Sequence, residues 1–382
     1  MHTIGKRIGY LDYIKGCLMF LVIWGHVCPN SSGANYADTW CALARINSLF
    51  LMSLFFMISG YLLKPCSAYS QLKLQLRKIV FRLVVPIFSW GVVLFLITSL
   101  TKFTGISNHS FAICDLSYIN FFYYIKKFIG FAVNSYWFIS CLIICICFGS
   151  VLYYIKNQLP RLIGHIILYA SIFLIPFLPI NLFHFTFFWP FFIIGSLVKD
   201  DELVSILSKK IIEMPSYCLI LLTLLCVDVG YSHMPIDSFY YTNNHPIWWL
   251  LLRFLVYFMS SVCAFIIFRK VYYSRMYSSL TMFMEKAGKE TMFLYMCHMV
   301  ILFHIYSPIV KRMTNSAGVL PDYPIIRFYL FSTIFAIILF VTLYYMSLIL
   351  NKNALLRTLF LGHYDGIWTS SDRDRGNSHI VL

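Results

Sequence analysis

Residues 11–26 read LDYIKGCLMFLVIWGH, Leu11 to His26. Most of the stretch is apolar enough to enter lipid, yet Asp12, Lys15 and His26 interrupt it. An ionisable group near the middle of a bilayer costs about 3 kcal/mol or more, so it turns toward protein or water and marks a functional site. On a helix, Lys15 and His26 project within about 20° of one another and differ by about 16 Å in height. Asp12 stands one turn before Lys15 on the same stripe. One face therefore offers a cation near its first end and an imidazole deep toward its second. A cation at a mouth suits a phosphate. An imidazole suits a general base acting on a hydroxyl. The extended pantetheine arm of coenzyme A has a comparable reach, and a proton or ion path fits the same spacing.

The rest of the chain sets the context. Its 382 residues are 60% hydrophobic and 12% charged, against roughly 25% charged in soluble domains. Apolar runs of about 20 residues, long enough to cross a bilayer, recur near 10–28, 43–63, 79–100, 135–155, 163–180, 182–198, 214–232, 246–269, 290–309 and 325–349. They predict an all-α, polytopic integral membrane protein with about ten transmembrane helices. Pro176, Pro179 and Pro190 interrupt the fifth and sixth runs. Residues 1–350 form one membrane domain. Residues 351–382 form a tail whose polar end, SSDRDRGNSHIVL, lacks periodicity and reads as partly disordered. Lys6 and Arg7 give Met1–Cys28 the start of a signal peptide. Asp12 and Lys15 break its apolar region and no small-residue cleavage site follows, so a retained span is expected.

The net charge of +15 would point to nucleic acid in a soluble protein. Here most Lys and Arg fall in alternate loops, which puts both termini in the cytoplasm, and no nucleic-acid partner is expected. The inner loop KPCSAYSQLKLQLRK, 64–78, predicts a short interfacial helix. The outer stretch SYINFFYYIKKFIGF either lies on the membrane surface or covers a cavity. The twelve cysteines fall mostly inside spans with no C-x-x-C pair, so neither a metal nor a redox framework is expected. Cys28 and Cys41 flank the first outer loop and are free to pair there.

Other polar residues in the spans carry two readings each. His298, at mid-depth, binds a second substrate, orients His26, or packs. Asp228 and Arg253, in the outer parts of the seventh and eighth spans, form an ion pair or line an entrance. Arg77, Lys78 and Arg82 at the inner mouth of the third span anchor the membrane or hold phosphates. Ser59, beside Gly60, marks a helix contact or donates to a carbonyl.

At this point the motifs resemble a family. LDYIKGCLMFLVIWGH is similar to the first span of acyltransferase family 3, in which a basic residue, ten intervening positions and a histidine recur; here these are Lys15 and His26. Many members carry Arg where this chain has Lys15. The order continues with SLFLMSLFFMISGYLL (48–63), RKIVFRLVVPIFSW (77–90), SYWFISCLI (135–143), FFWPFFIIGSLV, and KETMFLYMCHMVIL with Tyr295 and His298. The resemblance implies a membrane-bound O-acyltransferase of the bacterial cytoplasmic membrane. It would move an acyl group, acetyl first among them, from acyl-CoA as co-substrate to a hydroxyl of a glycan, lipid-linked sugar or other cell-envelope acceptor. His26 would be the general base. Lys15, Arg77 and Arg82 would bind acyl-CoA, and His298, Tyr295, Asp228 and Arg253 would line the acceptor site. Asp12 and Ser59 would give structural support. The competing class is a transporter or flippase for a lipid-linked sugar or polysaccharide, in which the same polar groups carry protons and no covalent bond changes.

Overall fold

The computed structural model describes residues 8–27, 37–103, 121–177, 182, 184–197, 247–274, 278–302 and 324–362. Every element among them is helical and none is a strand. In chain order they are α1 (Gly9–Val27), α2 (Ala37–Leu62), α3 (Tyr69–Ile79), α4 (Val85–Phe103), α5 (Phe121–Ser135), α6 (Trp137–Gln158), α7 (Arg161–Leu174), α8 (Phe185–Leu197), α9 (Ile247–Tyr273), α10 (Ser278–Lys289), α11 (Thr291–Ile301), α12 (Pro324–Leu350) and α13 (Ala354–Leu361).

Among the described residues, four stretches are long and apolar enough to cross a membrane: Tyr69–Thr98, Trp137–Gln158, Arg253–Tyr273 and Thr333–Leu350. Shorter apolar helices cover Leu49–Leu62, Arg161–Leu174, Phe185–Leu197 and Thr291–Ile301. Helix α1 has the length of a span, 19 residues, but its polar residues lower its hydropathy. Leu162, Ile166, Phe173 and Leu174 on α7, and Ile334, Ile338, Tyr345 and Ile349 on α12, are exposed. Apolar faces this large belong against lipid. The chain is thus a polytopic membrane protein. The seventh apolar run, 214–232, lies outside the described residues.

Several local readings change. The interfacial helix after Pro65 does form, but it does not stop at the membrane. A π-helical stretch, Val80–Val84, carries α3 straight into α4. The aromatic outer stretch becomes α5, which lies along α4; a Cβ on Gly91 would press on Ala132. Pro176 ends α7 in a single 3₁₀ turn, Ile175–Phe177. Pro190 sits inside α8 without ending it. The segment after 350 begins with a helix, α13, capped by Asn353, whose side-chain oxygen accepts from the Leu355 and Leu356 amides. Two tryptophan bonds tie distant parts together: Trp90 donates to the Phe360 carbonyl at 3.2 Å and Trp24 to the Thr333 hydroxyl at 3.0 Å.

Helix α1 runs through the interior, with α2, α9, α10, α11 and α12 packed around it. That enclosure is why its charges are tolerated: Asp12 is 0% exposed and Lys15 3%. The closest approach is to α10. A Cβ on Gly16 would collide with the Met284 carbonyl, and one on Gly288 with the Asp12 carbonyl. Only glycine lets two backbones come this near. A second crossing of this kind joins α2 to α8, where a Cβ on Gly60 would strike the Phe192 carbonyl and one on Gly195 the Met57 carbonyl.

Candidate active site

The polar stripe of α1 meets a single bent partner. Gly288 of α10 covers Asp12, the chain turns at Glu290, and α11 climbs back to the far end of α1. At the first end, the Lys15 ammonium stands 2.8 Å from the Asp12 carboxylate. At the other, the His26 and His298 rings lie 5.5 Å apart between centroids. The two ends are separated by about 16–21 Å of helix.

His298 is held firmly. It is 0% exposed, and its Nδ1 lies 3.1 Å from the Leu294 carbonyl. A carbonyl only accepts, so Nδ1 carries the proton and Nε2 presents a bare lone pair. Among the described residues that Nε2 has no hydrogen-bond partner. Tyr295 fills the space beside it, its ring 5.4 Å from His298 and 5.1 Å from Phe138. From Phe138 the aromatic wall continues to Phe56 at 5.2 Å and on to Phe188, stacked on Phe56 at 4.6 Å. Helices α1, α2, α6, α8 and α11 each supply a ring to this wall.

Arg253 enters from α9. Its guanidinium lies over the rings of Phe187, at 5.2 Å, and Tyr257, at 5.7 Å. Height along the helices can be compared through Tyr10, which meets Phe265 at 6.1 Å and lies under the Arg269 guanidinium at 5.7 Å. From that level Arg253 is about 18–24 Å along α9, and His26 about 24 Å along α1. The Phe187 ring also meets Phe188 of the aromatic wall at 5.1 Å, which puts Arg253 on the histidine side of the bundle, away from the Asp12–Lys15 pair.

The remaining predicted residues are scattered. Ser59 turns back on its own helix, donating to the Phe55 carbonyl at 2.8 Å, and the adjacent Gly60 makes the α2–α8 crossing. Arg77 is exposed on α3 and Arg82 is half-buried in the π-helical stretch. Lys64 stands close enough to Arg82 to feel its charge. Lys64 is largely exposed, and partial desolvation first, and Arg82 second, hold its ammonium below the ordinary lysine range. Asp228, Cys28 and the Cys41 side chain lie outside the described residues. Among the described residues, no three His, Cys, Asp or Glu side chains converge to hold a metal ion.

One residue near the histidines had no role assigned from sequence. Tyr136, at the corner between α5 and α6, is 0% exposed and its hydroxyl has no partner among the described residues. SYWFISCLI contains it, but nothing in that string shows that its ring turns inward.

The arrangement is an imidazole pair, one ring fully buried and the other half-buried, beside a wall of aromatic rings, on a helix whose other polar end carries an ion pair. Such a pair can accept and return a proton. No curated protein and no solved structure shows significant similarity to the chain. A sequence model of the acyltransferase domain matches residues 8–346, nearly the whole chain, and the chain belongs to that family, acyltransferase family 3.

Proposed function

We propose that the protein is an O-acyltransferase of the bacterial cytoplasmic membrane, with both termini in the cytoplasm and about ten spans. It takes an acyl group, acetyl first among them, from cytoplasmic acyl-CoA and places it on a hydroxyl of a glycan, lipid-linked sugar or other envelope molecule. The observation that carries this reading is the His26–His298 pair, its rings 5.5 Å apart and His298 fully buried.

The chemistry balances with these groups alone. His26 takes the proton from the acceptor hydroxyl as its oxygen attacks the thioester carbonyl carbon. The carbonyl electrons move to oxygen, then return as the C–S bond breaks. The departing thiolate takes the proton from the His26 imidazolium. His298, with its own proton held on Nδ1, offers its Nε2 lone pair to the N–H that His26 already carries on its other ring nitrogen, and so steadies the imidazolium that forms. A general base placed in this way contributes typically 10²–10⁴-fold.

The ends of the donor are held apart. Arg77 and Arg82, with Lys64 beside them, face the cytoplasm and take the phosphates of coenzyme A. Lys15 has a narrower part in this account. Its charge is met by Asp12 one turn earlier on the same helix, so it attracts a phosphate weakly and chiefly offsets that carboxylate inside the bundle. Arg253, Tyr295 and Asp228 remain with the acceptor, and Ser59 with helix packing.

Purified protein in detergent or lipid vesicles, supplied with acetyl-CoA and a panel of sugar acceptors, tests the reading. Acceptor-dependent release of free thiol, with acetylated sugar as product, is the expected result. Movement of a lipid-linked sugar across vesicles with no thiol released would favour the transporter instead.

A further inference from the structure

We propose that Tyr136 is a second catalytic residue of this site: its hydroxyl donates to the carbonyl oxygen that becomes negative as the acyl group transfers. The inference rests on the acyltransferase reading above and assigns that reaction its oxyanion donor.

Tyr136 occupies a corner that the chain fixes with some care. Its backbone leaves helical geometry, at φ −111° and ψ 42°, between α5 and α6. Its amide donates to the Ala132 carbonyl at 3.2 Å, and its own carbonyl accepts from the Ser140 amide at 3.0 Å. The Ser140 hydroxyl is 3.1 Å from that same carbonyl and 2.9 Å from the carbonyl of Val133, so one side chain spans both sides of the corner. With the backbone held there, the ring points into the bundle and is fully buried.

The hydroxyl at its tip lies within electrostatic reach of Cys297 and Tyr295 on α11. Tyr295 is the ring that packs on His298, and His298 is the ring that packs on His26. Buried hydroxyls in folded proteins almost always have a partner. Here two polar atoms of one neighbourhood, the Tyr136 hydroxyl and His298 Nε2, lack one among the described residues. One is a donor and the other an acceptor. The thioester carbonyl needs a donor, and the imidazolium that forms on His26 needs an acceptor.

In the proposed step, the Tyr136 O–H bond stays intact. It shortens its hydrogen bond to the carbonyl oxygen as the carbon becomes tetrahedral and the charge develops, and relaxes when the C–S bond breaks. No oxidant, reductant or further reactant enters.

The test is Tyr136→Phe, which keeps the ring and removes only the hydroxyl, compared with His26→Ala in the full-length protein. Thiol release from acetyl-CoA is followed at saturating glucose, and with water as the sole acceptor, alongside the thermal midpoint. Removing one oxyanion donor lowers kcat by about 10²–10³-fold in known cases. The expected result is a fall of at least 10-fold in kcat with either acceptor, little change in KM for acetyl-CoA, and a thermal midpoint that stays level or rises. Unchanged kcat overturns the assignment. So does a fall in kcat that tracks lost stability or failure to fold, since the hydroxyl would then be structural. A rise in KM for glucose alone would move Tyr136 to acceptor binding. If the wild type releases no thiol, or His26→Ala keeps full activity, the reading of the base fails instead, and the two outcomes are told apart in one assay.

Discussion

Replacing Asp12 by Asn leaves the Lys15 ammonium buried beside an amide in place of a carboxylate. Both residues of the pair are nearly inaccessible, the carboxylate and ammonium are 2.8 Å apart, and Gly288 presses on the Asp12 backbone from α10. Breaking one partner of a buried pair typically costs about 3–5 kcal/mol, because the other charge is left without its counterion. Removing both charges is far milder. Asp12→Asn and Lys15→Met should each lower the thermal midpoint by on the order of 5–15 °C, and the double substitution should recover most of that loss. The coupling should reach about 2 kcal/mol. Intrinsic fluorescence during heating of the purified protein reads the midpoint, and thiol release from acetyl-CoA reads KM in parallel. The pair account gives a double variant with KM for acetyl-CoA within a few-fold of wild type. If Lys15→Met leaves the midpoint unmoved but raises that KM more than 10-fold in both backgrounds, Lys15 is a phosphate ligand and the reasoning about the pair is wrong.

Three further outcomes follow from the same geometry. Gly60→Ala drives a Cβ into the Phe192 carbonyl, so it should destabilise by about 1–3 kcal/mol or more. Gly149→Ala should cost less, since its Cβ meets the edge of the Phe192 ring at 2.9 Å and a ring can turn; equal midpoints for the two variants would contradict this. At Lys64, partial desolvation and Arg82 depress the ammonium, so the unfolded chain binds more protons and stability rises with pH between the depressed value and the ordinary one of about 10.4. Arg82→Gln removes the smaller cause and should shift the pH profile of Lys64 amine labelling part of the way upward; an unmoved profile would separate the two residues.

Much of this was legible in sequence because α1 concentrates it. Asp12, Lys15 and His26 fall on one stripe by helical arithmetic alone, and the apolar runs locate most helices to within a few residues. The missing parts depend on contacts between distant segments. Helix α10 carries Glu285, Lys286 and Lys289, so its sequence reads as an inner loop, although it packs closest to α1. Its cue was Gly288, whose value appears only once Asp12 stands opposite. His26 and His298 are both visible as histidines within apolar runs, but their meeting depends on the turn at Glu290 that folds α11 back along α1. Tyr136 was hidden for a different reason. A tyrosine at a helix corner is ordinary, and only its full burial with an unmet hydroxyl sets it apart. The π-helical stretch through Arg82 likewise has no signal in the string RKIVFRLVV.

Proton transfer at His26 is the step on which acyl transfer depends. The most direct measurement is the rate of acceptor-dependent thiol release from acetyl-CoA by purified, folded wild type and His26→Ala. A loss of roughly 10²–10⁴-fold in kcat, with KM for acetyl-CoA within a few-fold, is the predicted result. Equal rates in the two proteins would contradict it.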